Sequence, residues 1–404
     1  MTLRPDSRAM TVMLAVLNGI APFATSIFMP SMPDIARDLQ VTPAQVQLSI
    51  TAYLFGLASG QIVYGTISDR YGRKPVLMVA LLIFCAATVV CALAQSIEVL
   101  ILGRALQAIG GAGVIVIVRA IIRDVHEGAR AARELAIMGA ILSLSPIMAP
   151  ILGGFLQVWF GWRSTFITLL VVGAVFVLAA WFLLVETLRH RAAEPLSLSG
   201  TFSTFGMLLR DSNYLSNVAL GAGAFAGGYA WLSGSAFVLQ DLHHLTPVEF
   251  AVVFAISSIG FLIGNTMAAR LVMRRGLNFT IGIGAGALLF ASIFLVAAMA
   301  LGFHTVPALT FPNIIFLAGM GLVMPQTMAS AMMKFPRHAG AASSLAGFIQ
   351  QGAGGVSAAV VGYFMGVTEW PVVWGVASMG FFVFALWILT SGIRRRAAEE
   401  ARES

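Results

Sequence analysis

The sequence predicts an all-α integral membrane protein built from two pseudo-symmetric six-helix bundles. Hydrophobic residues make up 59% of the 404-residue chain and charged residues only 10%, so the chain has too little polar surface for a water-soluble globule. Its apolar runs are about 20 residues long, which favours helices over a β-barrel because each helix satisfies its own backbone hydrogen bonds. These runs fall into two sets of six on either side of a polar stretch.

The spans follow from windows of about 19 residues. The first set lies at about 10–30, 46–65, 75–94, 99–120, 135–158 and 164–186. The second set lies at about 213–235, 249–270, 278–301, 308–332, 341–365 and 371–393. The first run is too long for a signal-peptide core and ends without a small-x-small cleavage site, so we predict that it is a span.

The polar stretch between the two sets divides the chain. We predict an N-terminal six-helix bundle over residues 1–187 and a cytoplasmic linker over 188–210. The C-terminal bundle then covers 211–404 and ends in a short basic cytoplasmic tail. Repeated six-helix halves are typical of alternating access around a site near the middle of the membrane.

The basic residues orient the chain. Of the 24 Lys and Arg residues, only Arg37, Arg104 and Arg163 lie outside the loops that share a side with the N-terminus. The positive-inside rule therefore predicts that both termini are cytoplasmic. The net charge of +7 is scattered in twos and threes without an aromatic and basic platform, which excludes nucleic acid as the expected partner. The lipid bilayer and a small-molecule substrate are the expected partners.

One loop carries a dense motif. The loop between spans 2 and 3 reads G-x-x-x-D-R-x-G-R-K, formed by Gly65, Asp69, Arg70, Gly72, Arg73 and Lys74. Glycines let two helix ends turn tightly, and Asp69 can accept charge-assisted hydrogen bonds from an arginine. We predict a cytoplasmic latch that forms in one state and breaks in the other, with Arg123 as a partner of Asp69. The matching loop after span 8, residues 264–276, has lost its acid.

Two spans carry further motifs. Span 4 contains Arg104 and Gln107 in R-x-x-Q spacing, and a charged residue this deep in a membrane is a functional-site hypothesis by default. Span 5 contains Pro150, Gly153 and Gly154. Proline removes a helical hydrogen bond and small residues allow close helix contact, so this span is predicted to be a bendable, tightly packed gating seam.

These motifs resemble those of the major facilitator superfamily. The loop matches its G-x-x-x-D-R-x-G-R-K signature, while Ala108 and Ala149 replace one glycine each in its R-x-x-Q-G-x-G-x-A and G-P-x-x-G-G patterns. The chain is most similar to the drug:H⁺ antiporter group with twelve spans, of the Bcr/CflA type. The resemblance implies the major facilitator fold, a monomer in the bacterial inner membrane, and no cofactor or metal beyond a proton gradient as driving force.

The substrate cavity is expected between the inner faces of the spans. Its polar and aromatic groups are predicted to be Asn18, Ser26, Tyr53, Arg104, Gln107, Tyr229, Trp231, Gln326 and Gln350. An apolar pocket with a few polar groups suits loose selection of drug-sized molecules. We therefore expect export of small, largely apolar compounds of the phenicol or bicyclomycin type.

The chain departs from this group in span 1. Where members of the group commonly carry an acid, this sequence has Asn18 and Ser26, which do not titrate in the usual range. Proton coupling would then fall to a rim acid such as Glu186 or Asp69, to His304, or be absent. The missing acid also favours neutral or anionic substrates over cations, with Arg104 able to bind an electron-rich group.

Other classes find less support. No G-x-S-x-G, H-E-x-x-H or P-loop motif indicates an enzyme. The main alternative is an exporter or facilitator of a metabolite such as a sugar, nucleoside or amino-acid derivative. The pair His243 and His244 is interpreted as a solvated outer loop, and Cys85 and Cys91 as structural residues of one span.

Overall fold

The computed structural model describes residues 7–126, 130, 134, 137–139, 141, 143–188, 198–335 and 338–394. The regular elements of this part of the chain are all helical, as the sequence predicts. Its first helices are α1 (Arg8–Asn18), α2 (Ile20–Ser26), α3 (Met32–Asp38), α4 (Pro43–Tyr71), α5 (Arg73–Ala92), α6 (Ile97–Val125), α7 (Ser145–Phe160) and α8 (Arg163–Leu183). The others are α9 (Leu198–Arg210), α10 (Ser212–Phe237), α11 (Pro247–Arg275), α12 (Leu277–Ala300), α13 (Val306–Met333), α14 (Ala339–Phe364) and α15 (Trp370–Leu389).

Membrane-spanning helices account for most of this structure. Among the described residues, nine helical stretches are long and apolar enough to cross a membrane, with α1 to α3 forming one of them. The helices α7, α10 and α14 occupy the positions predicted for spans 5, 7 and 11. The helix α7 is short, and α10 and α14 are less apolar because glycine, serine and amide side chains interrupt their apolar residues.

Prolines shape the two irregular spans. The first span is longer than predicted and segmented, because Gly19 separates α1 from α2 and Pro30 lies in a short 3₁₀ turn before α3. In the predicted fifth span, residues 137–139 and 141 are helical, and after a turn at residues 143–144 the helix α7 begins at Ser145 and carries Pro146 in its first turn. Proline lacks a backbone N–H and is tolerated where a helix starts, where that donor has no helical partner.

The chain divides into two compact units. Unit 1 comprises residues 1–197 together with 246–252, and unit 2 comprises 198–245 together with 253–404. Part of the predicted linker, residues 198–210, forms α9, which packs on α10 and α14 of unit 2. The remaining linker residues from 189 to 197 lie outside the described part of the chain.

Helix packing repeats between the units. In unit 1, α5 packs on α6 and α8, and α1 packs on α6. In unit 2, α12 packs on α13 and α15, and α10 packs on α13. The same order of neighbours therefore recurs at equivalent positions, which is the internal symmetry that the two sets of six spans predicted.

The repeat is sharpest in α4 and α11, which both have 29 residues. Thr42 caps α4 through a reciprocal pair of hydrogen bonds with Gln45, and Thr246 and Glu249 form the same pair at α11. This reciprocal pairing satisfies two backbone N–H groups that a helix start would otherwise leave free.

Glycines bring the second helix of each half against the fourth. A Cβ added at Gly56 would lie 2.5 Å from the Ala105 carbonyl oxygen of α6. A Cβ added at Gly260 would lie 2.1 Å from the Ile314 carbonyl oxygen of α13. Small residues allow such close helix contact inside membranes, where van der Waals packing drives association.

Candidate functional site

A fully buried arginine forms the centre of the polar site in unit 1. Arg104 of α6 is completely excluded from solvent, and its Nη1 donates to the Gln107 Oε1 atom at 2.6 Å and to the Ala24 carbonyl oxygen at 3.1 Å. Gln107 in turn donates to the Thr88 hydroxyl at 2.8 Å. The chain of hydrogen bonds thus joins span 1, span 4 and span 3.

Aromatic rings surround the same guanidinium. The Cζ atom of Arg104 lies 4.0 Å from the ring centroid of Tyr53, 4.3 Å from that of Phe28 and 6.0 Å from that of Phe166. A desolvated cation over aromatic faces gains roughly 2 kcal/mol per good contact, which helps to hold the charge inside the membrane. The Tyr53 hydroxyl is itself fixed because it donates to the Ala21 carbonyl oxygen at 2.9 Å.

Asn18 and Ser26 lie in the same span as Ala24, and both side chains are buried at 3% exposure. The Asn18 Oδ1 atom has no hydrogen-bond partner in the structure. It stands at the last residue of α1, where the helix breaks at Gly19. Leaving a buried acceptor without a donor costs about 1–3 kcal/mol of stability. Asn18 is therefore an unsatisfied acceptor beside the helix break.

In unit 2 the predicted residues fall into two groups. The side chains of Gln350 and Thr327 converge on Gly221 of α10, where an added Cβ would lie 2.8 Å from both Gln350 Nε2 and Thr327 Oγ1. Gln326, the neighbour of Thr327, is also buried. Spans 7, 10 and 11 therefore meet at one polar point. Two of its residues, Gly221 and Thr327, were not among those predicted from the sequence.

The second group in unit 2 is aromatic. Tyr229 packs against Phe225 with ring centroids 4.5 Å apart. Trp231 is buried, and its indole Nε1 has no hydrogen-bond partner. A buried indole usually finds an acceptor, so this N–H is a donor available to a ligand or to a rearranged helix.

The predicted latch residues form a cluster at the cytoplasmic end of unit 1. Arg73 donates to Asp69 at 2.5 Å, to the Ser68 hydroxyl at 2.7 Å and, through Nε, to Asp124 at 2.8 Å. Asp69 therefore pairs with Arg73, and the residue of α6 that completes the cluster is Asp124 and not its neighbour Arg123. The expected Asp69–Arg123 pair is absent from this described region, because the guanidinium of Arg73 bridges the two carboxylates.

Glu186 extends the cluster to the end of α8. Its carboxylate accepts the backbone N–H groups of Arg73 at 2.9 Å and Lys74 at 3.2 Å, at the N-terminus of α5, where an anion is favourable. The Lys74 ammonium donates to the carbonyls of Trp181 and Leu184 at 2.8 and 2.7 Å. Hydrogen bonds and ion pairs therefore connect spans 2, 3, 4 and 6 at this end of unit 1.

The remaining latch residues play different parts. Gly72 has φ +103°, and a Cβ there would lie 2.5 Å from Glu186 Oε2, so only glycine fits both the backbone and the carboxylate. Gly65 leaves space, with Val116 4.0 Å from an added Cβ. Arg70 lies 5.7 Å from the ring centroid of Tyr71.

The glycines of α7 allow very close contact with neighbouring segments. A Cβ at Gly153 would lie 1.8 Å from the Ile27 carbonyl oxygen, so spans 1 and 5 touch backbone to backbone. A Cβ at Gly154 would lie 2.8 Å from the Pro247 carbonyl oxygen, in the segment 246–252 that belongs to unit 1. Pro150 lies inside the same helix, and the gating role of these three residues stays a prediction.

A separate cavity of about 540 Å³ opens on the outer side of unit 1 and contains none of the predicted cavity residues. Asp38 there accepts from the Trp162 indole at 2.9 Å and from Arg163 at 2.8 Å. Asp34 likewise pairs with Arg37, so both acids of the cavity are already paired, and we interpret this network as a tie between two outer loops. Its lining consists of Asp34, Arg37, Asp38, Gln157, Phe160, Gly161, Trp162 and Arg163.

These features define a class of protein. Two similar six-helix units, a buried arginine inside one bundle and an ion cluster between helix ends are the parts of a polytopic secondary transporter. The profile of the Major Facilitator Superfamily matches residues 14–358. The chain belongs to the Major Facilitator Superfamily, and it is a multi-pass protein of the bacterial inner membrane.

Individual relatives cover nearly the whole chain. An uncharacterized MFS-type transporter, YdgK of Bacillus subtilis, is 30% identical over 88% of this chain and 88% of its own. Multidrug resistance protein D of Escherichia coli is 29% identical over 86% of this chain and 87% of its own. The bicyclomycin resistance protein homolog of Haemophilus influenzae is 25% identical over 94% and 95%.

Solved structures agree on the fold. A D-xylose-proton symporter superimposes with a TM-score of 0.75, covering 94% of this chain and 98% of its own at 14% identity. A bacterial homolog of the human lysosomal transporter Spinster gives a TM-score of 0.70, covering 98% and 97% at 18% identity. These matches confirm the predicted major facilitator fold.

Proposed function

We propose that this protein exports small, largely apolar drug-like compounds from the cytoplasm by alternating access, with protons as the driving ion. The names of its relatives support this direction, since the Escherichia coli and Haemophilus influenzae proteins are named for multidrug and bicyclomycin resistance. The chain covers more than four fifths of each of them, so the whole transport unit is comparable.

The observation that carries the substrate class is the charge pattern of the spans in unit 1. Residues 7–33, 39–68 and 99–123 contain no Asp or Glu, while Arg104 lies buried among aromatic rings, a carbonyl and an amide. The site therefore has a fixed cation and no fixed anion within these spans. Such a field repels lipophilic cations and favours neutral or electron-rich molecules.

Asn18 supplies a second, directional element. Its unpartnered Oδ1 atom can accept a hydrogen bond from a hydroxyl or amide of the substrate. Phenicols and bicyclomycin are neutral and carry such donors among apolar groups, so they fit an acceptor set among apolar walls. The substrate would thereby satisfy an acceptor that the protein leaves open.

The test is uptake of labelled chloramphenicol into everted membrane vesicles, with and without an imposed pH gradient. We expect gradient-dependent accumulation by the wild type and a loss of at least about tenfold in Arg104→Ala, equal to about 1.4 kcal/mol of binding or barrier energy. Arg104→Lys should recover part of the rate because it keeps the charge but not the planar stacking. Arg37→Ala, whose side chain is 68% exposed, is the matched control.

A second variant tests the charge argument directly. Asn18→Asp restores an acid to span 1 and should raise competition by lipophilic cations, whereas Asn18→Ala should not. Equal cation transport by wild type and Asn18→Asp would contradict the proposal that the missing acid excludes cationic substrates. Transport of chloramphenicol without gradient dependence would indicate a facilitator, and transport of sugars or nucleosides in preference to both drugs would replace drug export with a metabolite function.

A further inference from the structure

One carboxylate in unit 2 is flanked by two imidazoles. Glu369 lies just before α15, and its Oε1 atom is 3.3 Å from His243 Nε2 while its Oε2 atom is 3.4 Å from His304 Nδ1. The positive-inside orientation places all three on the outer side of the membrane. His243 follows span 7, His304 lies between spans 9 and 10, and Glu369 precedes span 12.

The sequence makes this grouping unusual. Glu369 is the only Asp or Glu between residues 250 and 398, and the whole chain has six histidines. The side chains of Glu369 and His243 are each only 13% exposed, and that of His304 is 46% exposed. His243 is therefore not the solvated loop residue that its sequence position indicated.

The His243 nitrogen nearest to Glu369 has no hydrogen-bond partner. This Nε2 atom is buried and forms no hydrogen bond of normal geometry, although it lies within ion-pair distance of the carboxylate. A largely buried carboxylate beside neutral imidazoles has no positive charge from those imidazoles to balance its own negative charge. One proton added to either imidazole neutralises the group, because the imidazolium and the carboxylate then form an ion pair.

Along the chain, other ionisable side chains adjoin only His243. Asp241 and His244 flank His243 in its loop, and both are exposed. Residues 301–306 contain His304 as their only ionisable side chain, and residues 365–371 contain Glu369 alone. No set of three such side chains among the described residues is arranged to hold a metal ion, so a proton is the ligand that this chemistry takes.

The backbone before His243 departs from regular α-helix geometry. Residues Val238–Leu242 form a π-helical turn at the end of α10, and His244 has the positive φ of +57°. Single π-helical turns inside or at the end of α-helices are frequent at functional sites. The helix that ends there also carries Tyr229 and Trp231, two of the predicted cavity residues.

We propose that His243, Glu369 and His304 form a proton-binding site on the outer side of unit 2, which clamps the outer end of α10 to its neighbours when the outside is acidic. Histidine is the side chain whose charge ordinarily changes between about pH 5 and 8. The proton-rich side of an energised membrane therefore closes the clamp, and loss of the proton releases the π-helical end of α10. This inference does not depend on which substrate is transported.

A double-mutant cycle tests the site on purified full-length protein in detergent with a chelator present. The variants are His304→Gln, Glu369→Gln and both together, and a second cycle uses His243→Gln. We expect non-additive shifts of about 2–4 °C in the unfolding midpoint at pH 5.5, falling severalfold at pH 8. His244→Gln is the control and should show no coupling to Glu369→Gln.

Coupling of equal size at both pH values would mean that the three side chains interact without a proton-dependent charge, which contradicts the proposal. Additive shifts at pH 5.5 would mean that they do not interact at all. If a variant fails to fold, hydrogen exchange of the wild type gives the answer. After correction for intrinsic exchange rates, peptides over 236–246 should be more protected at pH 5.5 than at pH 8. Peptides over 36–42, an outer segment of unit 1, should not change, and unchanged protection over 236–246 would contradict the proposal.

Discussion

The turn between the second and third spans has the same backbone geometry in both units but different side chains. The turn in unit 1, residues 68–74, joins α4 to α5, and the turn in unit 2, residues 272–278, joins α11 to α12. Both close with a backbone hydrogen bond, from Gly72 to Ser68 at 3.2 Å and from Gly276 to Val272 at 2.9 Å. Both glycines have positive φ, +103° and +82°.

The charged side chains of the first turn have no counterparts in the second. The positions of Asp69 and Arg73 in unit 1 are taken by Met273 and Leu277 in unit 2. Met273 is 85% exposed, and nothing lies within 4 Å of a Cβ added at Gly276. The glycine therefore serves the turn in both halves, whereas of these two described turns only the one in unit 1 carries an ion cluster. The backbone conformation of this turn therefore does not require the charged side chains.

The largest effect is expected from Gly72→Ala against Gly276→Ala. A side chain at either glycine strains the backbone by about 1–3 kcal/mol, but at Gly72 the new Cβ also displaces Glu186. We expect Gly72→Ala to lower the thermal unfolding midpoint clearly more than Gly276→Ala and to reduce transport. Equal midpoints for the two variants, measured in the same detergent, would mean that the Glu186 contact adds nothing to the turn.

Removing the charge bridge should have the next largest effect. Arg73→Ala leaves Asp69 and Asp124 facing each other without their cation, and the partial exposure of the two acids, 51% and 22%, limits the loss to about 1–3 kcal/mol. Arg274→Ala in the exposed turn of unit 2 should stay within about 0.5 kcal/mol. Thermal unfolding of both variants checks this, and matching losses would show that the cluster is not a special feature of unit 1.

The helix caps should respond alike at both repeats. Thr42→Ala and Thr246→Ala each remove a side chain that accepts from the backbone at a helix start, so each should lower stability by about 1 kcal/mol. Ser59→Ala, at an exposed position of α4, is the control and should change the midpoint little. A loss at only one of the two threonines would break the equivalence of the repeats.

The smallest effect concerns a different ion pair of unit 2. Asp211 caps α10 by accepting from the Tyr214 N–H at 2.8 Å and pairs with Lys334 at 2.9 Å. Burial alone would raise the pKa of Asp211, but the Tyr214 N–H and the Lys334 ammonium together hold that pKa below its ordinary value. Unit 2 thus places its cytoplasmic charge pair between spans 7 and 10 and not at the turn.

This pair gives a defined pH dependence. Because the pKa of Asp211 is lowered on folding, its contribution is present above the unfolded value of about 3.9 and is lost as the pH falls through the folded value. The difference in unfolding free energy between wild type and Asp211→Asn should therefore be constant near neutral pH, at most about 1 kcal/mol. It should shrink below about pH 4. A difference that grows on acidification would contradict the assigned sign.

Much of the candidate site was predictable because its motifs are local. The spacing of Asp69, Gly72 and Arg73 indicated an ion cluster at this turn, and a charge inside span 4 singled out Arg104. The partners were not predictable, because Asp124 and Glu186 come from spans 4 and 6, far along the chain. Phe28 and Phe166, which flank Arg104, look in the sequence like any other apolar residue of a span.

The sequence by itself determined the helical membrane class, the number and orientation of spans, the two-fold repeat and the family. These properties depend on composition, run length and short-range spacing, which the bilayer translates directly into structure. Only the tertiary structure decided that Arg73 bridges two acids, that Asn18 keeps an open acceptor, and that Glu369 meets two histidines. Such pairings depend on which helix faces touch, and hydropathy is blind to that because lipid and protein interior are equally apolar.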